Sequence, residues 1–268
     1  MRIFYILIFS AVISIIFLWL GCFNKISKRT AALTTTVCIT ISGILLLLAV
    51  LPENSFYGSV LTHTENTQNR KIIALTFDDG PYPPYTQELL ELLEKKQVPA
   101  TFFFVGENAA EHPDIVKAAQ NKGHLIALHA GYHKDLLKLT AEQTQENINF
   151  GKKTLENITG TPLQYMRPPH GFKDWSTVHC INNAGLQIVN WNIIPRDWTN
   201  PGAEVIADRV CKTASPGSII LLHDGDSPKK TASREQTIEA VSIIIDRLRQ
   251  QGYEFVTVEK IAAMNSQL

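Results

Sequence analysis

Two long apolar runs open the chain and an alternation of short apolar runs with amphipathic ones fills the rest. Residues 3–22, Ile3 to Cys22, carry no charged side chain, and neither do Ala31 to Leu51. Each run reaches the roughly 20 apolar residues needed to cross a bilayer. The eight residues between them hold Lys25, Lys28 and Arg29 and no acid. The positive-inside bias therefore predicts a membrane hairpin, spans at about 3–22 and 31–51, with its loop in the cytoplasm and both chain ends outside. The alternative is a cleaved, signal-like first segment followed by one span, although Arg2 is a thin basic flank for a signal peptide. Residues 52–70 are polar and aperiodic and read as a linker, in which His63 is expected to be a solvated loop residue.

From Lys71 onward the pattern changes. Ile72-Ile73-Ala74-Leu75, Ala100 to Val105, Leu125 to Leu128, Leu186 to Trp191, Ser218 to Leu222 and Tyr253 to Val258 have the length and apolar content of buried strands. Between them, helical spacing appears at 87–94, Ile115 to Asn121, Thr140 towards Ile158, Trp175 to Asn183, Ala203 to Lys212 and Glu235 to Gln250. Thr140 with Gln143 has the form of a capping box. Strand and helix in turn predict a parallel α/β architecture, open or closed into a barrel, in one domain over 71–268. Phe102, Phe103 and Phe104 are expected in its core, and Trp191 packed in a strand.

Composition changes this picture little. Lysine plus arginine number 25 and aspartate plus glutamate 25, so the formal net charge is zero. No polyanion partner, and hence no nucleic acid, is implied. Cys22 and Cys38 fall in the apolar runs. Cys180 and Cys211 fall on two predicted helices, and two buried free thiols are expected there, with one disulfide as the alternative in an oxidising compartment.

Candidate chemistry collects at strand ends, where functional groups of such folds gather. Asp78 and Asp79 follow the first strand and are turned away by Gly80-Pro81. Two adjacent carboxylates after a buried strand are costly unless something uses them, and a metal ion would take one as ligand and leave the other for proton transfer. The plainer reading is a turn with a solvated acidic pair. Against it, His129 and His133 follow another strand, four residues apart, a spacing that lets two imidazoles face one point. Arg167 precedes two prolines that hold its backbone out of a helix. His170 is a further candidate ligand without supporting spacing. Asp197-Trp198 and Leu221-Leu222-His223 complete the set, and His223 directly continues a buried strand.

These stretches, Thr76–Pro81, His129–His133, Arg167–Gly171, Asp197-Trp198 and Leu221–His223, resemble in order the five motifs of the polysaccharide deacetylase family (the NodB-homology domain of carbohydrate esterase family 4). The resemblance covers about Lys71 to Met264. It implies a distorted (β/α) barrel that removes N-acetyl, or O-acetyl, groups from a glycan with a divalent metal, most often zinc, with cobalt, nickel or manganese able to serve. By the same resemblance Asp79, His129 and His133 would be metal ligands, Asp78 the general base and Arg167 its orienting partner. His223 would be the general acid tuned by Asp197, and His170, Trp198 and Leu221 would contact substrate. Three positions depart from the pattern. Ala130 stands where Ser or Thr braces the second motif, His170 stands in place of Tyr, and Pro195-Arg196 precede Asp197. Together with the apolar runs, the expectation is a membrane-anchored, extracytoplasmic deacetylase acting on peptidoglycan or an N-acetylglucosamine polymer, with the bilayer as its other partner and no protein partner evident. Two alternatives are a deacylase of a lipid-linked sugar and a metal-bearing glycan-binding module without catalysis.

Overall fold

The computed structural model describes residues 2–265 of the 268-residue chain. Two helices come first, α1 (Ile3–Cys22) and α2 (Lys28–Val50). The second begins three residues earlier than the apolar run, because Ser27 caps it by accepting a hydrogen bond from the Thr30 amide at 3.0 Å. Both are long and apolar enough to cross a membrane. They pack on each other and leave most of their side chains bare: Phe9 and Leu33 are each 67% exposed.

The remaining elements alternate as expected. They run β1 (Ile72–Asp78), α3 (Tyr85–Lys96), β2 (Thr101–Phe104), α4 (Gly106–Glu111), α5 (Pro113–Asn121), β3 (Leu125–Leu128), α6 (Ala141–Thr159), β4 (Tyr165–Met166) and α7 (Trp175–Asn183). After these come β5 (Gln187–Ile188), α8 (Ala203–Thr213), β6 (Ser218–His223), α9 (Glu235–Gln250), β7 (Glu254–Phe255) and α10 (Val258–Asn265). The sheet is parallel throughout, in the order β5-β4-β3-β2-β1-β6, with β7 also pairing β1. It curls around a core containing Phe103 and Trp191, while Phe102 and Phe104 pack beneath the surrounding helices. The capping box of α6 is present, and Gly160 ends that helix in the left-handed conformation at φ 69°.

Three expectations needed correction. The strand predicted over Leu186 to Trp191 is regular for only two residues. Beyond it the chain makes single bridges, Val189 with Leu61 and Ile193 with Ile220, because it is bending across the mouth between β5 and β6. The strand predicted over Tyr253 to Val258 is likewise two residues long, and α10, starting at Val258, was not foreseen.

The third concerns residues 52–70, which are not a free linker. Tyr57, Leu61, Thr62 and Thr64 are buried. The Leu61 amide donates to Ile188 O at 2.9 Å, its carbonyl accepts from the Asn190 amide at 2.8 Å, and Thr64 N donates to Gly217 O at 3.1 Å. Short of periodicity, the segment still supplies the backbone groups that fill the gap between the two edges of the curled sheet. His63, in its middle, is exposed as expected.

Candidate active site

Register places the chemistry. Asp78 on β1 and His223 on β6 are direct partners across two paired strands, so their side chains start about 4.8 Å apart. Asp79 follows with φ 78°, a strained conformation that swings its carboxylate towards β3. The Asn108 side chain holds it by donating to Asp79 O at 2.9 Å. Gly225 lies so close that a Cβ there would stand 2.3 Å from the Asp79 carbonyl carbon, which explains the glycine after His223-Asp224.

Asp79 Oδ1 lies 3.5 Å from His129 Nε2 and 3.3 Å from His133 Nε2, and the three donor atoms lie within 4.8 Å of one another. Oδ1 is buried and has no hydrogen-bond donor. Burial lowers the pKa of both imidazoles, so their ring nitrogens are neutral and keep lone pairs to offer. His129 Nδ1 is 2.8 Å from Arg167 O, a contact that directs Nε2 towards Asp79. An orphaned carboxylate oxygen facing two neutral imidazoles fits a divalent cation, and two nitrogens with one oxygen suit zinc or a similar transition metal.

Arg167, fully buried, donates to Asp78 Oδ1 at 2.7 Å and to Thr76 Oγ1 at 2.8 Å. Two further donors go to Val189 O and Asn190 O, and its guanidinium lies 4.0 Å over the Phe103 ring. Burial pushes the Asp78 carboxyl up, against the pull of Arg167, to about 6. On the other side, His223 Nδ1 meets Asp197 Oδ1 at 2.9 Å, and the His223 amide donates to Asp197 Oδ2 at 2.9 Å. Burial opposes the charge on His223, but the Asp197 carboxylate outweighs it and raises the imidazole to about 9.

Asp78, Asp79, His129, His133 and His223 line one cavity of about 590 Å³ together with His170, Trp198 and Leu221, while Arg167 and Asp197 are buried directly behind Asp78 and His223. All ten residues singled out from the sequence thus meet at one place. His170 has φ 62° in the turn after Pro169, and its ring stands edge-on to His133 with centroids 5.2 Å apart. Trp191, expected to be packed, also lines the cavity, as do Phe172, Ile194, Lys229 and Arg234, which carried no signal readable in the sequence. Nor did Asn147, which answers the doubt raised by Ala130. From α6 its Oδ1 accepts from the amides of Gly131 at 2.7 Å and Tyr132 at 3.0 Å, bracing the loop between the two histidines.

The sequence signature described as polysaccharide deacetylase matches residues 65–189. A peptidoglycan-N-acetylglucosamine deacetylase of Bacillus cereus is 40% identical over 199 residues, covering 74% of this chain and 91% of that protein. A chitooligosaccharide deacetylase of Rhizobium leguminosarum bv. trifolii is 38% identical over 207 residues, 74% of this chain and 94% of that one. Among solved structures, the Bc1960 peptidoglycan N-acetylglucosamine deacetylase superposes with a TM-score of 0.70 at 31% identity, over 75% of this chain and 91% of its own. In motifs, sheet and length matched, the chain belongs to the polysaccharide deacetylase family.

Proposed function

We propose that this protein is a metal-dependent glycan N-deacetylase, anchored by its hairpin at the outer face of a bacterial membrane. The observation that carries the reading is the placement of two tuned pairs, Asp78–Arg167 and His223–Asp197, on either side of the Asp79–His129–His133 cluster. Binding alone would need neither pair. The relatives' names share one chemical denominator, the N-acetylglucosamine unit of peptidoglycan or chitooligosaccharide, which we take as the sugar whose amide is cleaved. The basic stretch Lys25 to Arg29 and the two uncharged runs 3–22 and 31–51 support the membrane orientation.

Asp79, His129 and His133 would hold a divalent cation, which supplies Lewis acidity towards an amide carbonyl and makes water more acidic. Asp78, kept in place by Arg167, takes a proton from the attacking water. A tetrahedral intermediate forms on the acetyl carbon. His223, protonated and aimed by Asp197, gives its proton to the departing sugar nitrogen as the carbon–nitrogen bond breaks. Trp198 and Leu221 form an apolar wall for the acetyl methyl group, and His170 stands at the rim for the sugar.

The test is acetate release by the full-length protein from N-acetylglucosamine oligomers and from peptidoglycan, with and without chelator, beside Asp78→Asn. Chelator-sensitive release that the substitution abolishes is the expected result. Absence of release from any acetylated glycan, with metal bound, would overturn the reading.

A further inference from the structure

We infer that the hairpin holds the domain with its catalytic face turned to the bilayer, and that the sugar it deacetylates is carried there on a lipid. This rests on the membrane and deacetylase readings above. In a parallel α/β fold, the loops after the strands and the first turns of the following helices share the face that carries the chemistry. The hairpin docks on that face.

Arg2, just ahead of α1, is 4% exposed. Its guanidinium donates to Leu136 O at 3.0 Å, Thr140 O at 2.8 Å and Thr177 Oγ1 at 3.0 Å, contacts the Thr144 hydroxyl, and pairs with Asp174 at 3.3 Å. The Ile3 amide donates to the other oxygen of Asp174 at 3.0 Å. Thr140 and Asp174 are the caps of α6 and α7, the helices that follow the second and third motifs. The end of α2 docks beside it: Lys173 N donates to Ala49 O at 3.0 Å, and Lys173 Nζ to Leu51 O at 2.8 Å and Pro52 O at 3.2 Å.

Lys173 adjoins Phe172, a wall of the catalytic cavity, so the cavity begins on the order of 10 Å from where α2 would leave the bilayer. Swivelling the domain away would strip Arg2 and Asp174 of buried partners, a costly break. The hairpin does not lie along the domain either, since Ile15 and Ile39 are 65% and 64% exposed. On the same face Trp198 and Tyr132 stand out half-exposed, and Lys229 and Lys138, the latter 3.3 Å from Asp135, are exposed cations suited to lipid headgroups. A sugar tethered in the same membrane meets this face directly, whereas a wall polymer must reach into the gap beneath it.

The full chain is reconstituted in phosphatidylcholine–phosphatidylglycerol vesicles. Acetate release is compared between N-acetylglucosaminyl diacylglycerol in the same vesicles and soluble N-acetylglucosamine oligomers. Confinement to one surface should favour the lipid-carried sugar by about tenfold or more in kcat/KM. Arg2→Gln combined with a flexible spacer between Leu51 and Pro52 should erase that preference while keeping the rate on free oligomers, which also reports that the domain is folded. A fluorophore at Lys138→Cys, with the native cysteines replaced by serine, should be quenched by headgroup-quencher lipid more than one at Thr161→Cys on the opposite face. Equal rates on both substrates, release from the free oligomers alone, or equal quenching at the two sites would overturn the inference while leaving the deacetylase reading standing. Release from neither, with metal bound, would remove both.

Discussion

The backbone oxygen of Arg167 lies 2.8 Å from Nδ1 of His129. Through its main chain this residue orients a candidate metal ligand, and through its guanidinium it holds Asp78. The two tasks can be separated. Arg167→Gln should lower kcat by about 10² or more, the scale of a misplaced general base, while zinc affinity stays within a few-fold because the carbonyl remains. It should also cost about 3–5 kcal/mol of stability, since Asp78 is left buried without its counter-charge. Isothermal titration with zinc, steady-state kinetics and denaturant unfolding read the three quantities.

Proton transfer sets a bell-shaped pH profile. In the proposed mechanism Asp78, near 6, acts as the ionised base, so kcat/KM should climb as pH rises through that value. In the same mechanism His223, near 9, acts as the protonated acid, so the rate should fall as pH rises through 9. Asp197→Asn removes the largest influence raising His223 and leaves burial opposed only by the Asp79 and Asp78 carboxylates, so the alkaline limb should move to lower pH. A pH–rate series on both proteins measures it, and an unmoved limb would take His223 out of the acid's role.

Asn147 does for the second motif what the side chain at position 130 cannot. Ala130 has φ 75° and no polar group, yet the loop it begins is fastened by Asn147 to α6. Asn147→Ala should weaken zinc binding by about 10- to 100-fold, the usual cost of losing support behind a ligand. Asn147→Ala with Ala130→Ser should recover part of it if the hydroxyl can take over the brace. Competition with a zinc-sensitive dye gives the affinities.

The sequence shows the centre of this molecule better than its seams. Asp78, Asp79 and His223 were legible because they end buried strands, and the turn reading of the acidic pair loses ground once the histidines are set beside it. His129 and His133 were legible by spacing. Asn147, by contrast, lies on an amphipathic helix among other polar residues, and nothing local distinguishes it. The two-residue strand β4 carries no period to read, and β5 and β7 read as longer than they are because their apolar flanks continue past the pairing. Arg2 looked like a weak basic flank, because the acceptors that surround it lie more than 130 residues away. All four cysteines are free, Cys180 buried as expected and Cys211 only partly so.

Metal removal should act on stability as well as rate. Asp79 Oδ1 has no protein donor, so a bound cation stabilises the folded chain by mass action, about 2.7 kcal/mol at a concentration 100 times Kd. Chelation should therefore abolish acetate release and lower Tm. Asp79→Ala should show no further drop in Tm with chelator. Differential scanning calorimetry at fixed zinc decides it, and a chelator-dependent shift surviving in Asp79→Ala would place the cation elsewhere.

The backbone bonds of Leu61 and Thr64 also decide where this chain can be severed. A soluble fragment trimmed to the start of β1 would lose the partners of Ile188 O, the Asn190 amide and Gly217 O, and would leave an open lip beside Trp191. Open lips of this kind recruit other chains. A fragment beginning just ahead of Tyr57 keeps the lip shut, so a protease nick before that residue should release a working enzyme and a nick at residues 65–70 a sticky one.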